Sequence, residues 1–399
     1  MIDSCPRTEC VSRQGESDVD LDLGERADAL RARLREMLAE LLPADWSGSF
    51  SDDPRVRGIS RQVLDRLAEE GLLTIDWPPE YGGAGATLWE QAVVREEMWA
   101  HLEPRGPQYM GLSWVGPTIM AFGTEEQRAT HLPRIGKGEA VWCQGFSEPE
   151  AGSDLGALSL PATPDGDGWT LRGQKIWTSY ATIADWCFLA ARTTRDADSK
   201  NHGITIFLLP MERAGVSVRP IASMMGPHHL NEVFFDDVRV TAADVLGEVD
   251  EGWQVIKYVL GHERIGIPRY ARDERVLAEL GEVAATSAGG AGVNFVRALV
   301  HARTARLLNY RAIALREAGR LTDRVASGAR IASIQLDQEV ADLALDVLGP
   351  AGIAPTPGDG ILGHAEDVYR YARSATIASG TIEIQRLLVA RSLMSEEAQ

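Results

Sequence analysis

The sequence predicts an α+β protein in which a helical N-terminal domain, a middle antiparallel β-domain and a C-terminal four-helix bundle follow one another. Three observations lead to this prediction. The 399 residues are about two to three times the length of a typical domain. Apolar residues recur at helical spacing near both ends of the chain, whereas short runs rich in β-branched and aromatic residues occupy its middle. The predicted boundaries are a mobile tail over 1–20 and domains over 21–138, 139–247 and 248–399.

The N-terminal tail is polar and patternless, which is typical of a mobile segment. From about residue 24, apolar residues recur three and four positions apart at Leu30, Leu34, Met37, Leu38 and Leu41. A second helix, SRQVLDRLAEEGLL, is expected to end near Gly71, and the Pro/Gly-rich WPPEYGGAG that follows is predicted to be a loop. Helical patterns resume in LWEQAVVREEMWAHL and in TEEQRATHLPRI, where Thr124 is a suitable first residue.

The middle of the chain is predicted to form short strands between about 140 and 247. The candidate strands are WTLRGQKIWTSY, DWCFLAART, GITIFLLP, VSVRPI and NEVFFDDVRV, separated by Gly, Pro and Asp turns. Regular short strands of this kind favour an antiparallel domain over a βαβ unit. Beyond Gly247 the pattern predicts long helices over 251–283, 292–318, 325–349 and 366–394.

Charge and cysteine content exclude several classes of function. The net charge is −18 and the isoelectric point is about 4.9, which argues against nucleic acid or an anionic membrane as the main partner. Cys5 and Cys10 have no second pair with metal-ligand spacing, so no metal site is expected. Scattered cysteines and the lack of an apolar run near 18 residues predict a cytoplasmic protein with reduced thiols, neither exported nor membrane-spanning.

The strongest local motif is GFSEPEAGSDLGA, residues 145–157. Its glycines let a ligand approach the backbone and its hydroxyls offer hydrogen bonds, although a Gly/Ser loop alone is more often a capped turn. Position by position it resembles the first signature of the acyl-CoA dehydrogenase family, in which a strand end and loop hold the flavin of FAD. The resemblance implies FAD contacts at Gln144, Phe146, Ser147, Gly152 and Ser153, with Ser153 also near the pantetheine arm of the substrate.

Three further stretches extend the resemblance over nearly the whole chain. GQKIWTSYATIADW (173–186) is similar to the family's strand in which a Trp lies over the isoalloxazine and a hydroxyl reaches flavin N5, which implies these roles for Trp177 and Ser179. NEVFFDDVRV (231–240) is similar to the strand leading out of the β-domain. GTIEIQRLLVAR resembles the C-terminal flavin-binding segment, with Thr381 and Glu383 at FAD-contacting positions. Taken singly, Trp177 could be a core residue and Ser179 a strand-edge hydroxyl, but four matches in order favour the family.

The resemblance implies a reaction, in which an acyl-CoA thioester is oxidised to the trans-2-enoyl form. A carboxylate removes the α-proton while the β-hydrogen leaves as hydride to flavin N5. The base is typically worth about 10²–10⁴-fold in rate, and hydrogen bonds to the thioester carbonyl stabilise the developing enolate. An electron-transfer flavoprotein is the acceptor that the family implies.

The base is expected at an unusual position. In many relatives it immediately precedes the Gly-Thr of the C-terminal motif, where this chain has Ser379. Other members place it before an Arg on the first C-terminal helix, and here GHERIG puts Glu263 at that position, although a solvated Glu paired with His262 or Arg264 is the simpler reading of such a residue alone. The resemblance implies that the Ser379 backbone N–H polarises the thioester carbonyl, with Arg264 and Gly380 near the substrate. Replacing a carboxylate by Ser also leaves room for a bulky, sterol-derived acyl group.

The residues that a family member lends to its neighbour's FAD are absent here. Where the family has an Arg followed by Phe-Gly, this chain has TSAGGAG, residues 286–292, and Asp346 replaces a Gln that approaches the phosphates. An anion there is unfavourable. A heteromer, such as a heterotetramer with a related subunit, is therefore expected. In the alternative, a homo-oligomer, Arg297 or Arg303 takes over the missing role.

Two other functions compete with the dehydrogenase. A flavin-dependent monooxygenase or oxidase on the same fold is disfavoured by Glu263 and by the complete SEPEAGSD loop. A non-catalytic partner subunit is disfavoured because the partner-directed residues are the ones missing. An acyl carrier protein thioester in place of the CoA thioester remains open.

Overall fold

The computed structural model of the protein describes residues 23–49, 53–195, 199–225, 230–265, 267–286, 291–354 and 360–397. At some helical positions within these ranges, including 262–265, only the backbone is described. The predicted tail, with Cys5 and Cys10, lies outside the described residues. No helix in the described ranges is long and apolar enough to cross a lipid bilayer.

The N-terminal region is helical, as predicted. Its helices are α1 (Glu25–Leu41), α2 (Val56–Glu69), α3 (Leu88–Ala100), α4 (Gln108–Met110), α5 (Gly116–Phe122) and α6 (Glu125–Gly136). A five-residue π-helical turn, Gly111–Val115, joins α4 to α5. Thr87 and Thr124 begin α3 and α6 with complete capping boxes, each closed by the side chain three residues later. The segment 108–122 was not predicted, because nearly continuous burial removes the polar–apolar periodicity that marks a helix.

A buried carboxylate connects the first helices to the C-terminal ones. Glu96 on α3 accepts hydrogen bonds from Arg31 of α1 at 2.7 Å and from the hydroxyls of Tyr270 at 2.5 Å and Tyr310 at 3.3 Å. Glu96 is 2% exposed, so these partners replace the water that a buried charge would lose.

The middle region forms two four-stranded sheets. The strands are β1 (Trp142–Gly145), β2 (Ala162–Asp165), β3 (Gly168–Lys175), β4 (Trp186–Arg192), β5 (Ile204–Pro210), β6 (Val216–Pro220), β7 (Asn231–Thr241) and β8 (Val245–Leu246). Their orders are β1-β4-β5-β8 and β2-β3-β7-β6. All pairs are antiparallel except β1–β4, which is parallel. The domain is therefore not purely antiparallel, since the chain passes through β2 and β3 of the other sheet before it returns as β4.

The first sheet is covered on both faces. On β4, Leu189 belongs to the core shared with the second sheet, whereas its neighbours Phe188 and Ala190 belong to the core shared with the N-terminal helices. Double coverage explains why β4 and β5 are continuous apolar runs without alternation.

The C-terminal region returns to helices. They are α7 (Gly252–Ile265), α8 (Arg269–Thr286), α9 (Ala291–Glu317), α10 (Asp323–Leu348), α11 (Pro350–Ile353), α12 (Ile361–Ser374) and α13 (Ile382–Glu397). The predicted helix over 251–283 is in fact two helices, because Pro268 disfavours helical geometry in the residue before it. The predicted helix over 366–394 is also divided, at Ser379 and Gly380, whose φ angles are +58° and +86°. α10 is the central helix of this region and packs against α8, α9, α12 and α13.

Candidate functional site

A buried ion pair fixes the 145–157 loop to the end of β3. The Nζ of Lys175, which is fully buried, donates to Glu148 Oε1 at 2.7 Å and to the carbonyl of Phe146 at 3.0 Å. Glu148 also accepts from the backbone N–H groups of Ser159 and Leu160 at 2.7 and 2.8 Å. Burial raises the pKa of Glu148, but the charge of Lys175 and these hydrogen bonds outweigh it, so the net pKa is lowered. The loop is thus held by its own carboxylate.

The Lys175–Glu148 ion pair, called here the Lys175–Glu148 clamp, brings the 145–157 loop and the 173–186 stretch together. The N–H of Ile176 donates to the carbonyl of Ser147 at 2.9 Å, which places Phe146 and Ser147 beside Trp177. Gln144 lies on β1, half-buried and opposite Phe188.

The outer part of the loop is open to solvent. Gly152 and Ser153 are both exposed. A Cβ built on Gly152 would meet no atom within 4 Å. The loop therefore has space for a ligand on this side.

Trp177 and Ser179 lie in a turn and not in a strand, which corrects the sequence prediction. β3 ends at Lys175, and the backbone then takes φ values of +60° at Trp177 and +62° at Tyr180. Asn231 holds the turn through two hydrogen bonds with Thr178. The backbone N–H of Thr178 donates to the Asn231 carbonyl at 3.0 Å, and the Thr178 carbonyl accepts from Asn231 Nδ2 at 2.9 Å. Positive φ at a non-glycine residue is sterically costly, so the turn is maintained by the surrounding contacts.

The turn suits a flat aromatic ligand. The side chain of Trp177 is a large apolar group that is 54% exposed, although its neighbours Thr178 and Tyr180 are buried. Exposure of an indole beside an open loop provides a surface on which a planar ring can stack. Half-buried Ser179 lies in the same turn, and half-buried Ser147 is joined to its start by the backbone hydrogen bond from Ile176. The residues present therefore fit a flavin ring.

The C-terminal motif is also shaped by backbone geometry. Ser379 and Gly380 have positive φ, and the hydroxyl of Thr381 accepts the N–H of Ile384 at 3.3 Å, which caps α13. Glu383 is exposed in the first turn of α13. The side-chain amide of Gln385, 1% exposed, lies 2.9 Å from where a Cβ on Gly380 would be. The amide at the end of the Gln385 side chain can move, so it is the φ of +86° that favours glycine at position 380.

Aromatic rings connect the turn after β3 to the C-terminal motif. The ring of Tyr180 packs edge-on to Tyr109 at 6.4 Å, Tyr109 packs on Trp99 at 6.4 Å, and Trp99 packs on Tyr371 at 6.4 Å. Tyr371 belongs to α12, the helix that leads to Ser379. These four residues were not predicted from the sequence. Tyr180 could have been noticed as a second aromatic residue within the WTSY stretch.

The predicted base lies on α7. Residues 263 and 264 belong to the last turn of α7, and the side chains of Glu263 and Arg264 lie outside the described residues.

The described positions that were expected to contact a neighbouring chain's FAD are exposed, and one of them forms an ion pair within this chain. Asp346 is exposed on α10, and residues 287–290 of the TSAGGAG stretch lie outside the described residues. Arg297 pairs with Glu339 at 3.1 Å, whereas Arg303 is exposed.

Comparison with protein families covers most of the chain. Residues 24–139 match the model of the acyl-CoA dehydrogenase N-terminal domain, 143–238 that of the middle domain and 250–394 that of the C-terminal domain.

Individual relatives agree with the family models. Acyl-CoA dehydrogenase IpdE1 of Mycobacterium tuberculosis is 33% identical over 380 residues, which cover 92% of this chain and 97% of that protein. A solved structure titled "Tcur3481-Tcur3483 steroid ACAD" has a TM-score of 0.84 at 32% identity and covers 94% of this chain and 99% of its own. The ChsE4-ChsE5 complex from Mycobacterium tuberculosis has a TM-score of 0.81 at 30% identity, covering 93% and 98%.

Proposed function

The chain belongs to the acyl-CoA dehydrogenase family, and from this membership we propose that it is an FAD-dependent enzyme that dehydrogenates an acyl-CoA thioester to the trans-2-enoyl form. The observation that supports this most directly is the 54% exposed ring of Trp177 in a turn with positive φ. Such an exposed ring, in the same turn as Ser179 and next in the chain to Ile176, which binds the Ser147 carbonyl, is suited to stack on a flavin.

The residues that would hold FAD come from three segments. When bound, FAD supplies the acceptor for the electrons that leave the substrate. The cofactor-binding residues proposed here are Gln144, Phe146, Ser147, Gly152, Ser153, Trp177, Ser179, Thr381 and Glu383. The Lys175–Glu148 clamp and the Asn231–Thr178 hydrogen bonds keep the first two segments in place before the cofactor arrives, so less ordering is required on binding.

The chemistry on the substrate is assigned to the C-terminal region. Glu263 removes the α-proton, and the backbone N–H of Ser379 donates a hydrogen bond to the thioester carbonyl, which stabilises negative charge as it develops on that oxygen. Arg264 and Gly380 lie against the substrate, as does Ser153 near the pantetheine arm.

The proposed substrate is a bulky, sterol-derived acyl-CoA. Ser379 is smaller than the carboxylate that many relatives have there, which leaves volume beside the flavin. One similar structure is titled "Tcur3481-Tcur3483 steroid ACAD". An electron-transfer flavoprotein is the proposed electron acceptor.

The proposed assembly is a hetero-oligomer with a related subunit. Asp346 exposes an anion where a phosphate-binding amide is expected, and two similar solved structures are titled with two different chains. The partner would supply the missing cationic and amide groups to a shared FAD site.

The test of the function is the Glu263→Gln variant. Co-expressed with the related subunit, it should retain as much flavin as the wild type prepared in the same way. It should lose about 10²–10⁴-fold in the rate of anaerobic flavin bleaching by a sterol-derived acyl-CoA without NADH, because the amide cannot accept the α-proton. Glu251→Gln, which changes an exposed carboxylate immediately before α7, is the matched control and should bleach at the wild-type rate. Normal bleaching by the Glu263→Gln protein would contradict the assignment of the base. The same assay with an acyl carrier protein thioester distinguishes the two carriers.

A further inference from the structure

Arg330 of α10 is hydrogen-bonded to the loop between α12 and α13, which carries Ser379. The side chain of Arg330 is 4% exposed, and its Nη2 donates to the carbonyl of Ala378 at 2.8 Å. About one helical turn further along α10, Ile334 packs against Ile382 at the end of the loop. This part of α10 therefore presents both an apolar contact and a buried cation to the loop.

The carbonyl that Arg330 binds belongs to the same peptide group as the N–H of Ser379. That peptide bond is trans, and in a planar trans peptide the C=O and N–H bonds point in opposite directions. The carbonyl of Ala378 is directed toward Arg330 on α10, so the N–H of Ser379 points away from α10. A side chain on another helix thus sets the direction of this N–H.

The backbone of the loop does not adopt its conformation by local preference. Ser379 has a φ of +58°, which is sterically costly for a residue with a Cβ. The N–H of Ile382 donates to the carbonyl of Thr376 at 3.0 Å and closes the loop around this position. The hydrogen bond from Arg330 acts on the strained peptide itself and fixes its plane.

We propose that Arg330 is the positioning residue for the Ser379 N–H, which it aims at the thioester carbonyl and makes a stronger hydrogen-bond donor. The inference rests on the role proposed above for that N–H. A cationic donor bonded to the carbonyl withdraws electron density from the peptide group, and hydrogen bonds arranged in such a chain strengthen one another. Arg330 therefore stabilises the developing enolate oxygen through a single peptide group.

Gln338 makes a comparable contact that does not involve this peptide. It lies about two helical turns beyond Arg330 on α10, and its side-chain amide donates to the carbonyl of Ala372 in α12. The donor is neutral, and the acceptor precedes Ser379 by seven residues. Loss of this hydrogen bond should weaken the packing of α12 on α10 without changing the Ser379 N–H.

The experiment measures the ionisation of a bound ligand in the flavin-loaded protein co-expressed with the related subunit. Acetoacetyl-CoA loses a proton to water from the carbon between its two carbonyl groups, so its enolate forms without Glu263 and is followed by ultraviolet absorbance. Binding to the wild type should lower the pKa of this ligand. With Arg330→Met we expect about tenfold less bound enolate at a pH below that pKa, because the N–H is a weaker and less well directed donor.

A second variant and a second ligand separate positioning from structural support. Arg330→Lys keeps a cationic donor, so its loss of enolate should be smaller than that of Arg330→Met. The thioether S-butyl-CoA has no carbonyl oxygen for the Ser379 N–H, and it should bind to Arg330→Met as tightly as to the wild type. The matched control Gln338→Met should ionise acetoacetyl-CoA as the wild type does, even where its thermal stability falls as far as that of Arg330→Met.

Three results would overturn the inference. Equal enolate fractions in the wild type and Arg330→Met would show that the cation does not act on the peptide group. Binding of both ligands weakened by the same factor would show that Arg330 only maintains the shape of the site. A wild type that does not lower the pKa of bound acetoacetyl-CoA would contradict the proposed role of the Ser379 N–H itself. Because this enolate forms without Glu263, each result is independent of the Glu263→Gln assay.

Discussion

His131 lies where α6 meets the first sheet, with its ring centroid 4.5 Å from that of Trp186 and 5.2 Å from that of Trp142. Burial, followed by the nearby charge of Arg134, lowers the pKa of His131 from 6.5 to about 4. The unfolded chain therefore binds more protons than the folded chain between these values, and the free energy of unfolding falls as the pH falls through this window.

The replacement His131→Phe removes this titration and keeps a ring between the two tryptophans. Between pH 7 and pH 5 we expect the wild type to lose about 2 kcal/mol more unfolding free energy than the variant. Urea unfolding at both pH values measures the difference. An equal loss in the two proteins would show that folding does not lower the pKa of His131.

For individual residues, the sequence predicts well which side chains share the candidate site but predicts their backbone angles poorly. Trp177 and Ser147 could be placed in one site from their motifs, and the structure brings them together through the Ile176–Ser147 hydrogen bond. The left-handed conformations of Trp177 and Ser379 could not be predicted, because neither residue favours positive φ and only the surrounding contacts impose it. The roles of these residues remain proposals.

Among the elements, α6 is hydrogen-bonded to the β-domain through the side chain of Gln127. Gln127 is 6% exposed, and its Nε2 donates to the carbonyls of Ala243 at 3.0 Å and Val245 at 2.8 Å. Its Oε1 accepts the N–H of Thr124 at 3.1 Å. One amide thus closes the helix cap and satisfies two acceptors at the end of the sheet.

Gln127→Ala should lower the free energy of unfolding by about 2–4 kcal/mol, since it leaves buried carbonyls without a donor. Thr124→Ala removes only the cap and should cost about 1 kcal/mol. Chemical denaturation of both variants measures the two losses. Similar losses would mean that the contact with the sheet contributes little beyond the cap.

The elements were predictable where a local pattern determines them. Helices α1, α2, α3 and α6 follow from apolar spacing and caps. Strand β1 is only four residues long and pairs in parallel with β4, more than forty residues later, and such a pairing leaves no local signal. The division of the long C-terminal helix at Ser379 is likewise decided by tertiary contacts.

For the whole molecule, the proposed shared site predicts the flavin content. Expressed alone, the chain should retain clearly less than one FAD per chain, because the phosphate-binding groups of a neighbour are missing and Asp346 repels the phosphates. Co-expression with a related subunit should restore about one FAD per pair. Visible absorption of the purified protein measures both quantities. Near one FAD per chain in the protein alone would favour the homo-oligomer.

The central position of α10 also has a consequence for biosynthesis. The helices α8 and α9 leave the ribosome before α10, and about 60 residues separate the end of α8 from the end of α10. At about 5–20 residues per second, their inner faces wait roughly 3–12 s for the helix that covers them. Val293 and Val300 on the outer face of α9 are 72% and 58% exposed, and they stay uncovered when α10 arrives, because α10 packs on the opposite face. A newly made chain therefore keeps exposed apolar side chains on α9 after its own folding is complete. For the proposed hetero-oligomer, synthesis of the two subunits close together in time and place is then an advantage.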